Sequence, residues 1–358
     1  MRARREWLVN LGVSAAAVLG FLLLCELVVF RFVWLASDVP RNDFRNEIVR
    51  NAPNQRGIWR VHDEIAAPFA INAQGWNSGI GDYALPRRPG VERIAFVGDS
   101  FVEALQVPFD ASLAEHAARL RPGPAEAYRF AISGAPMSQY LHMIEREVLD
   151  YRPDAIVVLL IHNDFDESFA FKQGRYTSSF RKLEVAGDRV VAEIPPEPWR
   201  PGALEWLRHT ATVRFFRNRW LVRPQLLVDL FLPQARAEPP IPLETEIAAA
   251  TDHVLGRIAA LARNAGVKLL VAIDGDRTAI YSGQERSPTL VLNRIAREAA
   301  ARHRVAFLDL HPVFAEHWRT HRRRFEFAVD MHWNELGHAV AGEAVARALS
   351  TLEAPEKD

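Results

Sequence analysis

The sequence predicts an α/β protein: a parallel, doubly wound sheet in a three-layer α/β/α sandwich, with an N-terminal transmembrane helix and an inserted subdomain. Three observations predict it. From Arg93 onward, short apolar runs alternate with helix-periodic stretches, the pattern of repeated βαβ units. Trp7 to Cys25 is a run of 19 residues without a charge. Between about residues 169 and 242 the alternation breaks, which marks an insertion into the sheet domain.

The uncharged run comes first. At about 1.5 Å per residue, a helix of that length nearly crosses a hydrocarbon core of roughly 30 Å, and Leu27 to Phe30 extend it past Glu26. Arg2, Arg4 and Arg5 before it favour a cytoplasmic N-terminus, against the weaker vote of Arg31, Arg41, Arg45 and Arg50. Two processed alternatives fit poorly. Leu24 stands before Cys25 where lipoprotein processing takes a small residue, and Trp34 interrupts the small-residue pattern that signal-peptide cleavage takes. Residues 1–36 are therefore expected to be a cytoplasmic tail and retained anchor, which places the rest on the periplasmic or outer side of an inner membrane. Glu26 is expected to snorkel near the helix end. Residues 37–90, rich in Asn, Pro, Arg and Gly, read as a stalk merging into a loop-rich cap.

Residues 91–358 carry the sheet. The strand-like runs are Arg93–Val97, Tyr128–Ile132, Ala155–Ile161, Lys268–Ile273 and Val305–Leu308. The helix-like stretches are Ser112–Leu120, Gln139–Leu149, Glu244–Asn264, Leu290–Arg302 and Glu335–Leu349. Five strands covered in this way give a flavodoxin-like order. Inside the insertion, Tyr176–Ile194 reads as a hairpin around Gly187-Asp188. Ala203–Leu232 reads as helical, with arginines among Trp206, Phe215, Phe216 and Trp220. That helix suits packing against the main domain better than an interfacial membrane helix or an anionic-glycan surface, and the whole insertion suits a lid or subdomain.

Composition excludes some classes. Lys and Arg total 44 against 44 Asp and Glu, so no net basic charge supports binding to nucleic-acid phosphates. The single cysteine, Cys25, rules out an internal disulfide and a cysteine-rich metal site. Asp330, His332 and His338 are spaced too irregularly to favour a metal, and no cofactor is implied.

In an open parallel sheet, ligands bind beyond the carboxyl ends of the strands. After the first predicted strand comes Gly98-Asp99-Ser100-Phe101, after the second Ser133-Gly134, after the third His162-Asn163-Asp164, and after the fifth, across a loop, Asp330-Met331-His332-Trp333-Asn334. A serine hydroxyl becomes a nucleophile when an imidazole takes its proton and a carboxylate fixes the imidazole tautomer. Ser100, His332 and Asp330 supply those groups. The backbone N–H groups of Ser100 and Gly134 and the side-chain amide of Asn163 are placed to receive an oxyanion. Asp99, Asp164 and Asn334 are candidate supporting residues. His162 and His338 suit packing or a supporting role, and Asp274-Gly275-Asp276, after the fourth strand, suits a turn better than a substrate contact. Each element alone has a plainer reading, as an N-cap or an Asx-turn. The set, in this chain order and after these strands, is specific.

Phe96 to Phe101, Ser133-Gly134, Asn163-Asp164 and Asp330-x-His332-x-Asn334-x-x-Gly337-His338 resemble the four motif blocks of the SGNH/GDSL hydrolases, over roughly residues 90–350. Ala70 to Trp76 is similar to a segment that precedes the first block in membrane-anchored bacterial members. The resemblance implies Ser100 as nucleophile, Gly134 and Asn163 as oxyanion donors, His332 as base and Asp330 as its partner. Two departures stand out. Asp-x-His replaces the usual Asp-x-x-His, as in members similar to polysaccharide O-acetyltransferases, and the second block lacks an Asn. The expected function is a membrane-anchored serine esterase acting on small acyl esters, acetyl among them, of envelope or exported glycans. An O-acyltransferase using the same triad, or a non-catalytic glycan-binding or assembly protein, is the alternative. A phosphopantetheine carrier site at Asp99-Ser100 is excluded by the preceding strand. An α/β-hydrolase elbow is excluded by Val102 at its second glycine position.

Overall fold

In the computed structural model the described residues are 2–170, 176–202, 205–222, 243–284 and 287–352. The parts of the insertion at 171–175, 203–204 and 223–242 lie outside them. The chain forms two compact units, one of Met1–Val39, Ile58–Ala66 and Pro201–Arg236, the other of Pro40–Gly57, Ala67–Arg200 and Ala237–Asp358.

In the first unit, α1 (Arg2–Leu24) continues as π-helical turns over Cys25–Val33. The helix over Arg5–Val33 is long and apolar enough to cross a membrane. Glu26 is partly buried, with its side chain 21% exposed and paired with Arg31 at 3.1 Å. It accepts hydrogen bonds from Ala211 N (2.8 Å), Thr212 N (2.9 Å) and Thr212 Oγ1 (2.9 Å), and so caps α6 (Ala211–Val213), which continues as π turns over Arg214–Arg219.

Residues 40–90, of which 58–66 belong to the first unit and the rest to the second, are more regular than their composition suggests. β1 (Asn42–Arg45) pairs antiparallel with β2 (Ile48–Asn51), and β3 (Gln55–Val61) pairs with β4 (Ile65–Ile71). Asn72 closes an Asx-turn onto Gln74 N (3.1 Å) and Trp76 N (2.9 Å), which delivers the Trp76 ring to the core.

The sheet is built from β5 (Glu92–Gly98), β6 (Ala125–Ala131), β7 (Ala155–Leu160), β10 (Lys268–Ile273) and β11 (Ala306–Asp309), in the order β11-β10-β7-β5-β6, all parallel. Numbered along the sheet strands alone this is order 2-1-3-4-5, the predicted doubly wound topology. Strand alternation divides the core in two. Ala95, Val97, Ile156 and Val158 face α4 (Met137–Arg146) and α7 (Glu244–Ala265) through Leu141, Ile144 and Leu255. Ile94, Phe96, Val157 and Leu159 face α3 (Leu113–Arg119), α10 (Leu310–His321) and α11 (Glu335–Ser350) through Leu113, Phe314 and Val345. Because both faces are covered, β7 is buried along its whole length, as its unbroken run Ala-Ile-Val-Val-Leu-Leu requires.

The insertion begins with the expected hairpin, β8 (Lys182–Ala186) and β9 (Arg189–Ile194), turning at Gly187 with φ 65°. Arg181 fixes it by pairing with Glu145 of α4 (2.5 Å) and Glu193 (3.0 Å). Its described residues 201–202 and 205–222 belong to the unit that contains α1.

Candidate active site

Ser100 opens the short helix α2 (Ser100–Glu103) directly after β5, at the point where strand order reverses between β5 and β7. Asp99 caps that helix through Phe101 N (2.9 Å) and accepts from Ser100 Oγ at 3.2 Å. The turn is tight: a Cβ at Gly98 would meet Val102 Cγ2 at 2.5 Å. From the far end of the chain, His332 Nε2 lies 2.8 Å from Ser100 Oγ. Its Nδ1 is hydrogen-bonded to Asp330 Oδ1, which also accepts the His332 backbone N–H at 2.9 Å. The Asp-x-His spacing therefore closes on itself, one carboxylate oxygen holding both the backbone and the ring of His332. Burial opposes ionisation of Asp330, yet the hydrogen bond and charge of His332, its backbone N–H and the Gln106 side chain hold that carboxyl below its ordinary range.

The other predicted residues fall into place differently. Gly134 has φ 79° and nothing within 4 Å of where a Cβ would be. Its N–H has no hydrogen-bond partner among the described residues. Asn163 is exposed and its amide donates to Glu167 Oε2 at 3.2 Å. Asp164 is buried and accepts from Ile161 N (2.7 Å) and Tyr140 Oη (2.8 Å). Burial and the nearby Asp99 push its carboxyl well above the ordinary range. Asn334 makes no hydrogen bond to Ser100, His332 or Asp330 among the described residues. It caps α11 through Gly337 N (3.1 Å) and donates to the carbonyls of Arg324 and Glu326 (3.0 and 3.1 Å), pinning the loop that presents His332. His338 is buried and its Nδ1 accepts from Leu113 N (3.2 Å), while burial and nearby cations lower it to about 3. It is a neutral packing acceptor. His162 bonds Asn293 at 2.9 Å.

Three residues in the site escape sequence reasoning. Glu103, buried on α2, accepts from Ser133 N (2.8 Å) and Ser133 Oγ, and from Asn51 Nδ2 (2.7 Å), and so fixes the turn that carries Gly134. Asp274, which the sequence assigns to a turn, accepts the Trp333 indole N–H at 3.1 Å and lies 3.4 Å from Arg277. Arg277 in turn donates to the Met331 carbonyl at 2.9 Å, so the Asp330–Trp333 segment is held from the β10 side. Gln106 is the third. An acidic residue inside the apolar run Phe101-Val102-Glu103-Ala104-Leu105 is the available signal for Glu103. Among the described residues no group of three His, Cys, Asp or Glu side chains is set to hold a metal ion.

Burial raises Asp99 from 3.8 to about 6, against the pull of the Phe101 N–H and the charge of His332. The native state thus binds this proton more tightly than the unfolded chain. The charged form is destabilising above about pH 6, and the penalty fades as pH falls toward 3.8. Asp99→Asn keeps the helix cap and removes the charge. It is expected to raise Tm at pH 7.5 and to leave it unchanged at pH 4, as read by calorimetry at both values.

Ser100, His332 and Asp330 thus stand in hydrogen-bonded sequence at the carboxyl edge of a doubly wound sheet. The family model of the GDSL-like lipase/acylhydrolases matches residues 96–340, and the chain belongs to that family. The fold is similar to that of a lipolytic G-D-S-L family protein from Veillonella parvula (13% identity over 73% of this chain and 100% of that one, TM-score 0.40). It is also similar to a lipase/acylhydrolase from Enterococcus faecalis (13%, 74% and 99%, TM-score 0.40). A third is a catalytic mutant of an acetylxylan esterase from Geobacillus stearothermophilus (14%, 75% and 97%, TM-score 0.41). No curated protein sequence matches the chain.

Proposed function

We propose that the protein is a membrane-anchored serine esterase that removes small acyl groups, acetyl foremost, from envelope or exported glycans. The contact of His332 Nε2 with Ser100 Oγ, backed by Asp330, is the observation that carries this reading. Ser100 Oγ attacks the ester carbonyl as His332 takes its proton. Asp330 keeps the Nδ1–H tautomer and balances the imidazolium charge. The Gly134 and Ser100 N–H groups, with Asn163 turned from Glu167, receive the oxyanion. His332 then returns the proton to the departing sugar hydroxyl, leaving an acyl-Ser100 ester. Water, deprotonated by the same imidazole, releases the acid and restores Ser100. No cofactor enters these steps.

The apolar helix over Arg5–Val33 would be the anchor, with Arg2, Arg4 and Arg5 on the cytoplasmic side and residues 91–358 outside the inner membrane, carrying the insertion at 169–242. Detergent-solubilised full-length protein is expected to take up one equivalent of a fluorophosphonate probe, on the peptide containing Ser100, as read by mass spectrometry. A folded chain that takes no probe overturns the esterase reading.

A further inference from the structure

The unit that contains α1 exposes a surface that ester chemistry does not explain. Phe30 stacks on Phe215 with ring centroids 4.4 Å apart and meets Phe216 edge-on at 5.5 Å, while Trp34 lies 6.3 Å from Phe215. Phe30 and Phe215 are buried by these contacts. Trp34, Phe216, Trp220 and Val222 instead remain between 38% and 60% exposed around an apolar groove of about 700 Å³. Large aromatic and aliphatic groups clustered in this way on a water-facing surface mark a contact site.

Two further observations identify the partner. The groove is continuous with the apolar helix: Phe30 and Trp34 form its wall, and Glu26, one turn earlier, holds the N-terminus of α6 through the Ala211 and Thr212 N–H groups. Among the described residues, Arg219, which lines the groove, and Arg214 near it are already paired. Arg214 donates to Asp38 at 2.6 Å and Arg219 to Asp63 at 2.6 Å. What remains is tryptophan and phenylalanine beside neutralised arginines at the end of an apolar helix, the composition that favours the boundary between headgroups and acyl chains.

We infer that the 211–222 segment is a second membrane-seated element, lodged in the lipid headgroup–acyl boundary beside the C-terminal end of the anchor. This rests on the anchor reading above. Its partner is the bilayer surface, held by apolar contact, and the seating does not depend on anionic lipid. It departs from the expectation that the helix serves mainly to pack against the main domain.

The test uses the full chain in phosphatidylcholine vesicles, with Cys25→Ser removing the only native thiol. Single cysteines replace Phe216 or Val222, with Leu19 inside the apolar helix and Asp188 at the β8–β9 turn as references, each bearing a nitroxide. Collisions with oxygen and with a water-soluble nickel chelate give the depth of each label. Labels at 216 and 222 are expected about 5–10 Å below the phosphate level, the immersion typical of interfacial helices. They should lose most of the nickel collisions seen at 188 while keeping oxygen collisions. If 19 is deep but 216 and 222 are as nickel-accessible as 188, the inference fails and the anchor stands. If both labels are shielded from oxygen and nickel alike, the groove is filled by protein, such as a second copy, and the inference again fails. A nickel-accessible label at 19 overturns the anchor reading itself.

Discussion

Ser100→Ala and His332→Ala are each expected to lower kcat on a small acetyl ester by on the order of 10⁴-fold or more, with KM little changed, because both groups act only as the transition state forms. Asp330→Asn is expected to fall almost as far. Asp330 Oδ1 accepts from the His332 ring and from its backbone N–H, whereas an amide nitrogen turned toward Nδ1 favours the opposite tautomer and leaves Nε2 unable to take the serine proton. The three losses should not add. Ser100→Ala combined with His332→Ala should be no slower than either alone, since groups that act as a unit fail as a unit. Steady-state kinetics on the purified full-length variants decides this, and a Ser100→Ala enzyme with wild-type turnover would sink the assignment.

The largest expected effect on stability lies away from that edge. Glu147, at the end of α4, accepts from both terminal nitrogens of Arg50, at 2.8 Å for Nη1, and from the Trp76 indole at 3.0 Å. Arg50 lies 4.6 Å over the Trp76 ring and also donates to the Gln74 carbonyl at 3.0 Å. Their side chains are 2% and 8% exposed. Glu147→Ala strands a buried guanidinium and an indole N–H, and is expected to cost about 3–5 kcal/mol in urea unfolding. Glu147→Gln keeps an acceptor and should cost less. Removing both charges with Arg50→Met and Glu147→Leu should recover much of the loss, because a buried ion pair exchanged for apolar groups is often neutral. A loss below about 1 kcal/mol for Glu147→Ala, the ordinary size of a surface effect, would show that the pair is solvated in the native state.

Legibility in the sequence followed burial. β7 and β10 are covered on both faces and show as unbroken apolar runs, and α11 announces itself by Asn334 at its start. α10 does not show in the sequence because Pro312 and its histidines hide the period, although Pro in a first turn is tolerated and Asp309 caps it through His311 N at 3.0 Å. β1 to β4 were hidden by Asn- and Gly-rich turns. The grouping of Ser100, His332 and Asp330 is legible because the proposed nucleophilic chemistry restricts residue type. Glu103 and Asp274 were not, since any polar residue looks alike until its partner is known, and their partners Ser133 and Trp333 stand 30 and 59 positions away.

Ser100 and His332 are separated by 232 positions. On a ribosome adding 5–20 residues per second, roughly 10 to 50 s pass between the synthesis of Ser100 and that of His332. On the proposed reading, the nascent chain holds through that interval a serine whose base has not yet been made. Its activation then waits for the last loop and α11 to emerge and dock, so a chain stalled or truncated before Asp330 would carry the sheet's switch point without the proposed chemistry.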